Sequence, residues 1–448
     1  MNSITQFKNI RLLSLLIASA LLLARSAPAT LPPGNTAAQW NTIAENTVVG
    51  SGAFQGEGYI YMAYTSAAVY DAVVAIESGF RPYGPPITAP PGASVDCAVI
   101  EAAYRTLVNY FPSQAGTLGA FYAEARSNFG GCTGDGGGGT AVGLQAANDI
   151  ITLRTGDGRM TPIGTTSSFP TLPPGPGVWR LTPPFLPPQT PWVGSVRPFI
   201  VHSLDQFLPD PPPSLQSDEW VEAFDKTKAY GAFTGSLRSD EQTFIAKFWS
   251  ANVIRQYNRV GRDIAATQGL SLLDTARLAA MINVIAADAM MSMHHAKYHY
   301  LFWRPVTSIN GSLDPSAVTN DGFGPVPGYD DGNPATVEQA GWRPLLTTPN
   351  HPEYPSAHST LTSAMTEVFR TFLGTNHIDL DIHGFDPAGP PNNLNAVRHF
   401  DMPNDLRQEV INARIWAGLH YHFSCVAGMA LGRQVANFDL KHAFQPVE

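Results

Sequence analysis

Three short segments in the second half of the chain combine cationic side chains with serine and histidine. They are residues 297–305 (KYHYLFWRP), 355–358 (PSAH) and 414–420 (RIWAGLH). Only 14% of all residues are charged, and the cations in these segments stand among aromatic and aliphatic residues, where an unpaired charge is costly. One lysine, two arginines, a helix N-terminus and two histidines together suit a tetrahedral or trigonal-bipyramidal oxyanion.

Each segment by itself also has an ordinary structural interpretation. Lys297 and Arg304 could extend their charged ends to the surface, and Ser356 could be a simple helix cap beside a solvated histidine. His420 could be a hydrogen-bonded core histidine. Only the three segments together favour one anion site, in which cations neutralise oxygens, one histidine bonds the central atom and the other transfers protons.

Helical periodicity predicts the elements that position these segments. Helices are expected over residues 36–80, 95–128, 217–304, 357–373 and 405–438. Within the third of these, Ser271 should cap a helix that ends before Pro305, so that Lys297 and Arg304 share one helix face. Arg414 and His420 should lie within one long helix, about 120° apart around its axis.

The sequence therefore predicts an all-α fold, a large helical bundle core of two packed bundles with long Gly/Pro-rich loops. The loops fall at about 159–216 and 309–355. The expected organisation is a signal peptide over 1–29, an N-terminal helical region over 30–216, and a C-terminal helical domain over 217–448 that carries the oxyanion site.

The first residues indicate export from the cytoplasm. A positive start with Lys8 and Arg11 precedes an apolar run over 12–23 and a small-residue cleavage site at 27–29. We expect a secreted or periplasmic protein that is free of the membrane after cleavage; an uncleaved anchor is the alternative. In such a compartment Cys97 and Cys132 could pair, whereas Cys425 should be a buried thiol. The net charge of −9 argues against nucleic acid as a partner.

The order and spacing of the three segments resemble the vanadium-dependent haloperoxidases and their relatives in the type 2 phosphatidic acid phosphatase superfamily. The resemblance implies a helical-bundle fold, vanadate as cofactor, and hydrogen peroxide, a halide and an organic acceptor as substrates. His420 would then be the vanadium ligand, His358 the acid/base, and His351 a residue that favours bromide or iodide. The vanadate oxygens would be held by Lys297, Arg304, Ser356, the backbone N–H of Ala357, and Arg414.

Two positions depart from the family pattern. Ala357 stands where glycine is usual, which is acceptable if its φ is negative. Ser424 stands where a carboxylate often orients the ligand histidine; we expect Ser424 to do so weakly, or Asp401 or Asp405 to replace it.

Two other functions stay open from the sequence. A secreted acid phosphatase could use the same residues, with His420 as the phosphorylated nucleophile, because vanadate mimics the transition state of phosphoryl transfer. A degenerate oxyanion-binding protein without turnover is the second alternative, supported by Ser424 alone. Whether the chain forms a homo-oligomer also stays open.

Overall fold

The computed structural model describes residues 29–129, 132, 134–161, 172, 175–310, 330–389 and 394–447. The expected signal peptide over 1–29 therefore lies almost entirely outside the described residues, as do parts of both Gly/Pro-rich stretches. Within the described parts, thirteen α-helices and one two-stranded sheet confirm the predicted all-α class.

The N-terminal half contributes five helices. They are α1 (Thr36–Gly50), α2 (Gln55–Glu77), α3 (Val95–Tyr110), α4 (Ala115–Asn128) and α5 (Gly139–Leu153). The C-terminal half contributes eight. They are α6 (Asp218–Gly231), α7 (Asp240–Phe248), α8 (Val253–Thr267), α9 (Leu272–Tyr300), α10 (Pro305–Asn310), α11 (Ala357–Leu373), α12 (Pro403–Trp416) and α13 (His422–His442). Strands β1 (Leu380–Gly384) and β2 (Ala396–Phe400) pair antiparallel.

Two long apolar helices, α2 and α9, pack along each other in the centre of the molecule. Among the described residues they are the two helices whose length and hydropathy would suffice to cross a membrane, and 89% of the apolar window of each is buried inside the fold. One hydrophobic core contains residues of both, such as Tyr64 and Met290. The domain boundary at residue 216 stays a prediction.

Helix α9 begins as expected and ends earlier than expected. Ser271 accepts a hydrogen bond from the backbone N–H of Asp274, and the helix ends at Tyr300 because Leu301 takes a left-handed conformation (φ 49°). Arg304 therefore lies beyond the helix. The prediction that Lys297 and Arg304 share one helix face is wrong, because the chain turns before Arg304 and redirects its side chain.

Helix α11 has the predicted bounds, from Ala357 to Leu373, and Gly374 ends it at a φ of 68°. By contrast, the single helix predicted over 405–438 is two helices, α12 and α13, separated by residues 417–421. Gly418 makes this break, since it has a φ of 75° and a Cβ there would lie 2.5 Å from the backbone oxygen of Gly231. His420 thus lies in a link and not in the middle of a helix.

The cysteines behave as the sequence suggested. Cys97 in α3 and Cys132 form a disulfide, with their Cα atoms 5.5 Å apart. Cys425 in α13 is a buried free thiol. The disulfide joins two parts of the N-terminal half, away from the segments with candidate site residues.

Candidate active site

A small cavity of about 60 Å³ lies where the three sequence segments meet. Its lining from these segments comes from the link before α13, the end of α12, the start of α11 and the loop before it; these residues are His420, Arg414, Ala357, His358 and His351. Its apolar lining includes Phe54, Val253 and Leu361. Five of the eight site residues predicted from the sequence therefore border one cavity, and the other three, Lys297, Arg304 and Ser356, are buried behind it.

His420 is 1% exposed, and the partners of its two ring nitrogens indicate its tautomer. Its Nε2 atom lies 3.3 Å from Nη1 of Arg304, and a guanidinium can only donate, so Nε2 is the acceptor. Its Nδ1 atom therefore carries the proton and donates to Oε1 of Glu353 at 2.7 Å. Burial lowers the pKa of His420 well below its usual value, and Arg304 lowers it further. Both hydrogen bonds and the lowered pKa favour the neutral ring, with the proton on Nδ1 and the lone pair on Nε2.

Glu353 is the functional residue that the sequence reasoning missed. It is fully buried, and its Oε1 atom accepts from His420 and, at 3.1 Å, from the backbone N–H of Tyr421. Burial raises the pKa of Glu353 to about 7, although Lys297 and Arg304 oppose the shift. Its position five residues before His358, in HPEYPSAHS, was visible, but nothing local indicated that it would contact a histidine 67 residues away.

The carboxylates proposed from the sequence as partners of His420 are wrong. Asp401 and Asp405 are exposed, and Asp401 contacts His399 and His377 at the edge of the hairpin. Ser424 does lie near the ring, with Oγ 3.5 Å from Nδ1 of His420, which is at the limit of a hydrogen bond. Glu353 thus has the orienting role that was sought on α13, because the loop before α11 packs against the link before α13.

Arg304 is fully buried and uses its donors within the protein. Nε donates to the backbone oxygen of His351 at 2.9 Å, and Nη1 donates to the backbone oxygen of Leu419 at 3.0 Å. Nη2 donates to Nδ1 of His351 at 3.0 Å. Burial lowers the pKa of Arg304 to about 9, while Glu353 raises it. The guanidinium therefore fixes the orientations of both His351 and His420.

Lys297 is fully buried on the last turn of α9. Its Nζ donates to the backbone oxygens of Pro352 and Glu353 at 2.9 and 2.8 Å, which leaves one of its three donors. Burial lowers its pKa well below the usual value, and the charge of Arg304 adds to that effect.

Arg414 differs from the other two cations because it lines the cavity. It is 3% exposed, and its Nε has no hydrogen-bond partner among the described residues. Burial lowers the pKa of Arg414 to about 10. A buried donor without a partner is costly, so the geometry of Arg414 suits an anion in the cavity.

The start of α11 contributes backbone donors and a histidine. Ser356 occupies the N-cap position, but it makes no capping hydrogen bond; its Oγ accepts from Oγ of Ser359 at 3.2 Å. Ala357 is the first residue of α11, so its φ is helical and therefore negative. Alanine can thus stand here in place of the glycine that is usual in the family pattern. The N-terminus of α11 at the cavity adds the positive end of a helix dipole.

His358 lies in the first turn of α11 and lines the cavity. Its Nε2 is buried without a hydrogen-bond partner among the described residues, while the ring donates to the backbone oxygen of Trp249. Burial lowers the pKa of His358 well below its usual value, and Arg414 and Lys297 lower it further. A neutral ring with a free nitrogen at the cavity can accept a proton.

The residues present fit an oxyanion. In the described part of the chain, Lys297, Arg304 and Arg414 bring three cations to this site, against one carboxylate from Glu353. Two nitrogens without a hydrogen-bond partner among the described residues, Nε of Arg414 and Nε2 of His358, are buried at the cavity. This surplus of buried positive charge and the unused donor of Arg414 suit a small anion.

Comparisons with known proteins show what the chain is similar to. Residues 277–448 match the family model of the VCPO second helical-bundle domain. The vanadium chloroperoxidase of Curvularia inaequalis is 27% identical over 304 residues, which cover 54% of this chain and 47% of that protein. The chain thus spans about half the length of this curated relative.

Solved structures share the fold. A bacterial vanadium-dependent iodoperoxidase superposes with a TM-score of 0.73 at 20% identity, covering 94% of this chain and 100% of that one. The apo form of a bacterial vanadium-dependent chloroperoxidase superposes with a TM-score of 0.65 at 16% identity, covering 86% and 94%. The chain thus shares the fold of these vanadium haloperoxidases, and residues 277–448 are similar to the second helical-bundle domain of the VCPO family.

Proposed function

We propose that the chain is a vanadate-dependent haloperoxidase, which uses hydrogen peroxide to oxidise a halide that then halogenates an organic acceptor. One observation carries the proposal. The neutral His420, the unpaired Nε of Arg414 and the unpaired Nε2 of His358 meet at one small, cation-rich cavity. The family of the C-terminal domain supports vanadate as the cofactor.

His420 would hold vanadate through Nε2, the ring nitrogen that is not bonded to Glu353. Arg414 would bind its oxygens with the guanidinium donors at the cavity, and the N-terminus of α11 would add backbone donors. Lys297 and Arg304 would neutralise charge from behind. When bound, vanadate supplies an electron-poor centre that activates hydrogen peroxide towards a halide.

Glu353 would keep His420 in the tautomer that the site requires. The hydrogen bond from Nδ1 to Oε1 prevents the ring from presenting Nδ1–H to the cavity, and the carboxylate makes Nε2 more basic. The presence of this carboxylate removes the argument from Ser424 for a degenerate, inactive site.

His358 would move the protons. Its free Nε2 at the cavity can take a proton from hydrogen peroxide as the peroxide enters and return it to a leaving oxygen. The low pKa keeps this nitrogen unprotonated before the peroxide arrives.

The halide would approach from the side of the cavity formed by Phe54 and His351. Arg304 donates to Nδ1 of His351, so the neutral imidazole of His351 carries its proton on Nε2. The apolar lining next to this N–H suits a large, weakly hydrated anion, which favours bromide or iodide as substrate.

The same proposal includes export. A disulfide between Cys97 and Cys132 is typical of secreted and periplasmic proteins, in agreement with the signal peptide that the first residues predict.

The test is halogenation of a phenol-red-type dye by the purified protein with hydrogen peroxide and either bromide or iodide, before and after orthovanadate is added. We expect activity only with vanadate, and phosphate should compete with it. Silence in this assay, together with hydrolysis of a chromogenic phosphate ester that vanadate inhibits, would contradict the proposal and assign the site to an acid phosphatase.

A further inference from the structure

A second cavity, of about 350 Å³, lies between the far ends of α11 and α12 and the side of α13. Its charged lining is Glu367, Arg370, Arg407 and Arg433, and we call it the arginine cavity. It shares no lining residue with the candidate active-site cavity. Glu367 follows His358 by nine residues on α11, which corresponds to about 13 Å along the helix axis.

Three guanidiniums from three helices meet one carboxylate in the arginine cavity. Arg370 donates to Oε2 of Glu367 from Nη2 at 2.7 Å, and Arg407 donates to Oε1 from α12. Nε of Arg433, on α13, lies 3.5 Å from Oε1. One carboxylate can neutralise one of the three cations, so two positive charges of the lining stay uncompensated.

The carboxylate of the arginine cavity is buried, and two of its guanidiniums face the solvent. The side chain of Glu367 is only 4% exposed, whereas those of Arg370 and Arg433 are 39% and 57% exposed. Burial lowers the pKa of Arg407; Glu367 opposes the shift, and Arg433 and Arg370 add to it by repulsion. An anion in the cavity would relieve this repulsion and would still be reached from solvent.

Neutral donors complete the lining. The side-chain amides of Asn376, Asn404 and Asn437 border the cavity and can each donate to an oxygen. Pro403 and Asn404 also bring the N-terminus of α12 to it, and Met402 before them provides no side-chain cap for that helix. The positive end of the helix dipole therefore adds to the surplus of cations.

We propose that the arginine cavity binds a doubly charged oxyanion of the phosphate or sulfate type, at a site separate from the candidate active site. Two uncompensated guanidiniums match a dianion, and amide donors suit its remaining oxygens. The proposal does not depend on haloperoxidase activity.

The test is titration calorimetry of the full chain with inorganic phosphate. R433Q and R370Q should each weaken phosphate binding about tenfold, and the double variant about a hundredfold, because each removes one charge-assisted contact. R105Q is the matched control, since Arg105 is also a half-exposed arginine bonded to a buried glutamate, Glu101. R105Q should leave the titration unchanged.

A second variant has an effect of opposite sign. E367Q removes the carboxylate that competes with the ligand, so phosphate should bind about tenfold more tightly if the variant folds. R414Q alters the candidate active site, so it should not change the phosphate affinity that R433Q weakens. Phosphate binding that responds to R414Q alone, or no phosphate binding at all, would overturn the proposal.

Two ligand sources are distinguished by repeating the titration with glycerol phosphate. Binding of both compounds indicates a site for phosphomonoesters as well as the free anion, and binding of inorganic phosphate alone indicates a site for the free anion. Failure of the halogenation assay would not affect these results, since no arm of the titration uses vanadate or peroxide.

Discussion

Helices α11 and α12 each contribute residues to two cavities, one near each end of the helix. The cationic side chains of the two cavities differ in their solvent exposure and in their hydrogen-bond partners. At the candidate active site, Lys297, Arg304 and Arg414 are at most 3% exposed, and the first two bind backbone oxygens. In the arginine cavity, Arg370 and Arg433 are 39% and 57% exposed and converge on a carboxylate.

The difference shows what burial does to a cation. Burial lowers the pKa of Arg304 to about 9 and that of Arg414 to about 10, and Nε of Arg414 has no hydrogen-bond partner among the described residues to replace its lost hydration. An anion that enters that cavity gains from strong, unscreened attraction. In the arginine cavity, solvent already screens the outer guanidiniums, and an anion gains less from each.

The largest expected effect is on the ligand nitrogen. His420→Ala should abolish vanadate-dependent iodination, since it removes the only nitrogen that we assign to bonding vanadium. The measurement is the rate of dye iodination at saturating orthovanadate. His422→Ala is the control, because His422 is exposed two residues further along and should keep full activity. Unchanged turnover in His420→Ala would show that the chemistry occurs elsewhere.

The second prediction contrasts one arginine from each cavity. Arg414→Gln should weaken vanadate binding by about tenfold to a hundredfold, because it removes a charged donor at a buried site. Arg433→Gln should leave the vanadate affinity of the active site unchanged. The dependence of dye iodination on orthovanadate concentration measures the active-site affinity of both variants. Equal effects of the two variants would contradict the separation of the cavities.

The third prediction concerns the orientation of His420. Glu353→Gln should weaken vanadate binding about tenfold, because the neutral amide orients the ring less strongly and no longer raises its basicity. Ser424→Ala is the matched comparison; its hydroxyl lies at 3.5 Å, so the loss should be smaller. A larger loss in Ser424→Ala would return the orienting role to Ser424.

The smallest effect is a difference in salt dependence. Raising the ionic strength from about 0.05 to 0.5 M should weaken phosphate binding in the arginine cavity about fivefold, because its outer guanidiniums are exposed to counterions. Vanadate binding at the buried site should change less. A steeper salt dependence for vanadate would mean that the active-site cations are not as desolvated as their burial indicates.

Local sequence was sufficient to predict the ends of those helices that begin or end at a typical capping residue. The cap at Ser271 and the left-handed Gly374 are visible as residue types, and the structure has them where they were expected. The end of α9 was placed too late, because the turn occurs at Leu301, a residue type that does not favour a left-handed conformation. The break at Gly418 was missed because the helical pattern resumes beyond it, and because the backbone of Gly231, which a Cβ at residue 418 would meet, is far away in the sequence.

The sequence by itself determined the chemical character of the site, namely which cations and which histidines it contains, and it predicts an anion as their ligand. Tertiary structure alone decided that Glu353 and not Ser424 orients His420, that Arg304 fixes two imidazoles, and that Arg414 is the arginine whose Nε is free at the cavity. The physical reason is separation along the chain. Periodicity and capping act over a few residues, whereas these contacts join groups 47 to 116 residues apart and form only when the helices pack.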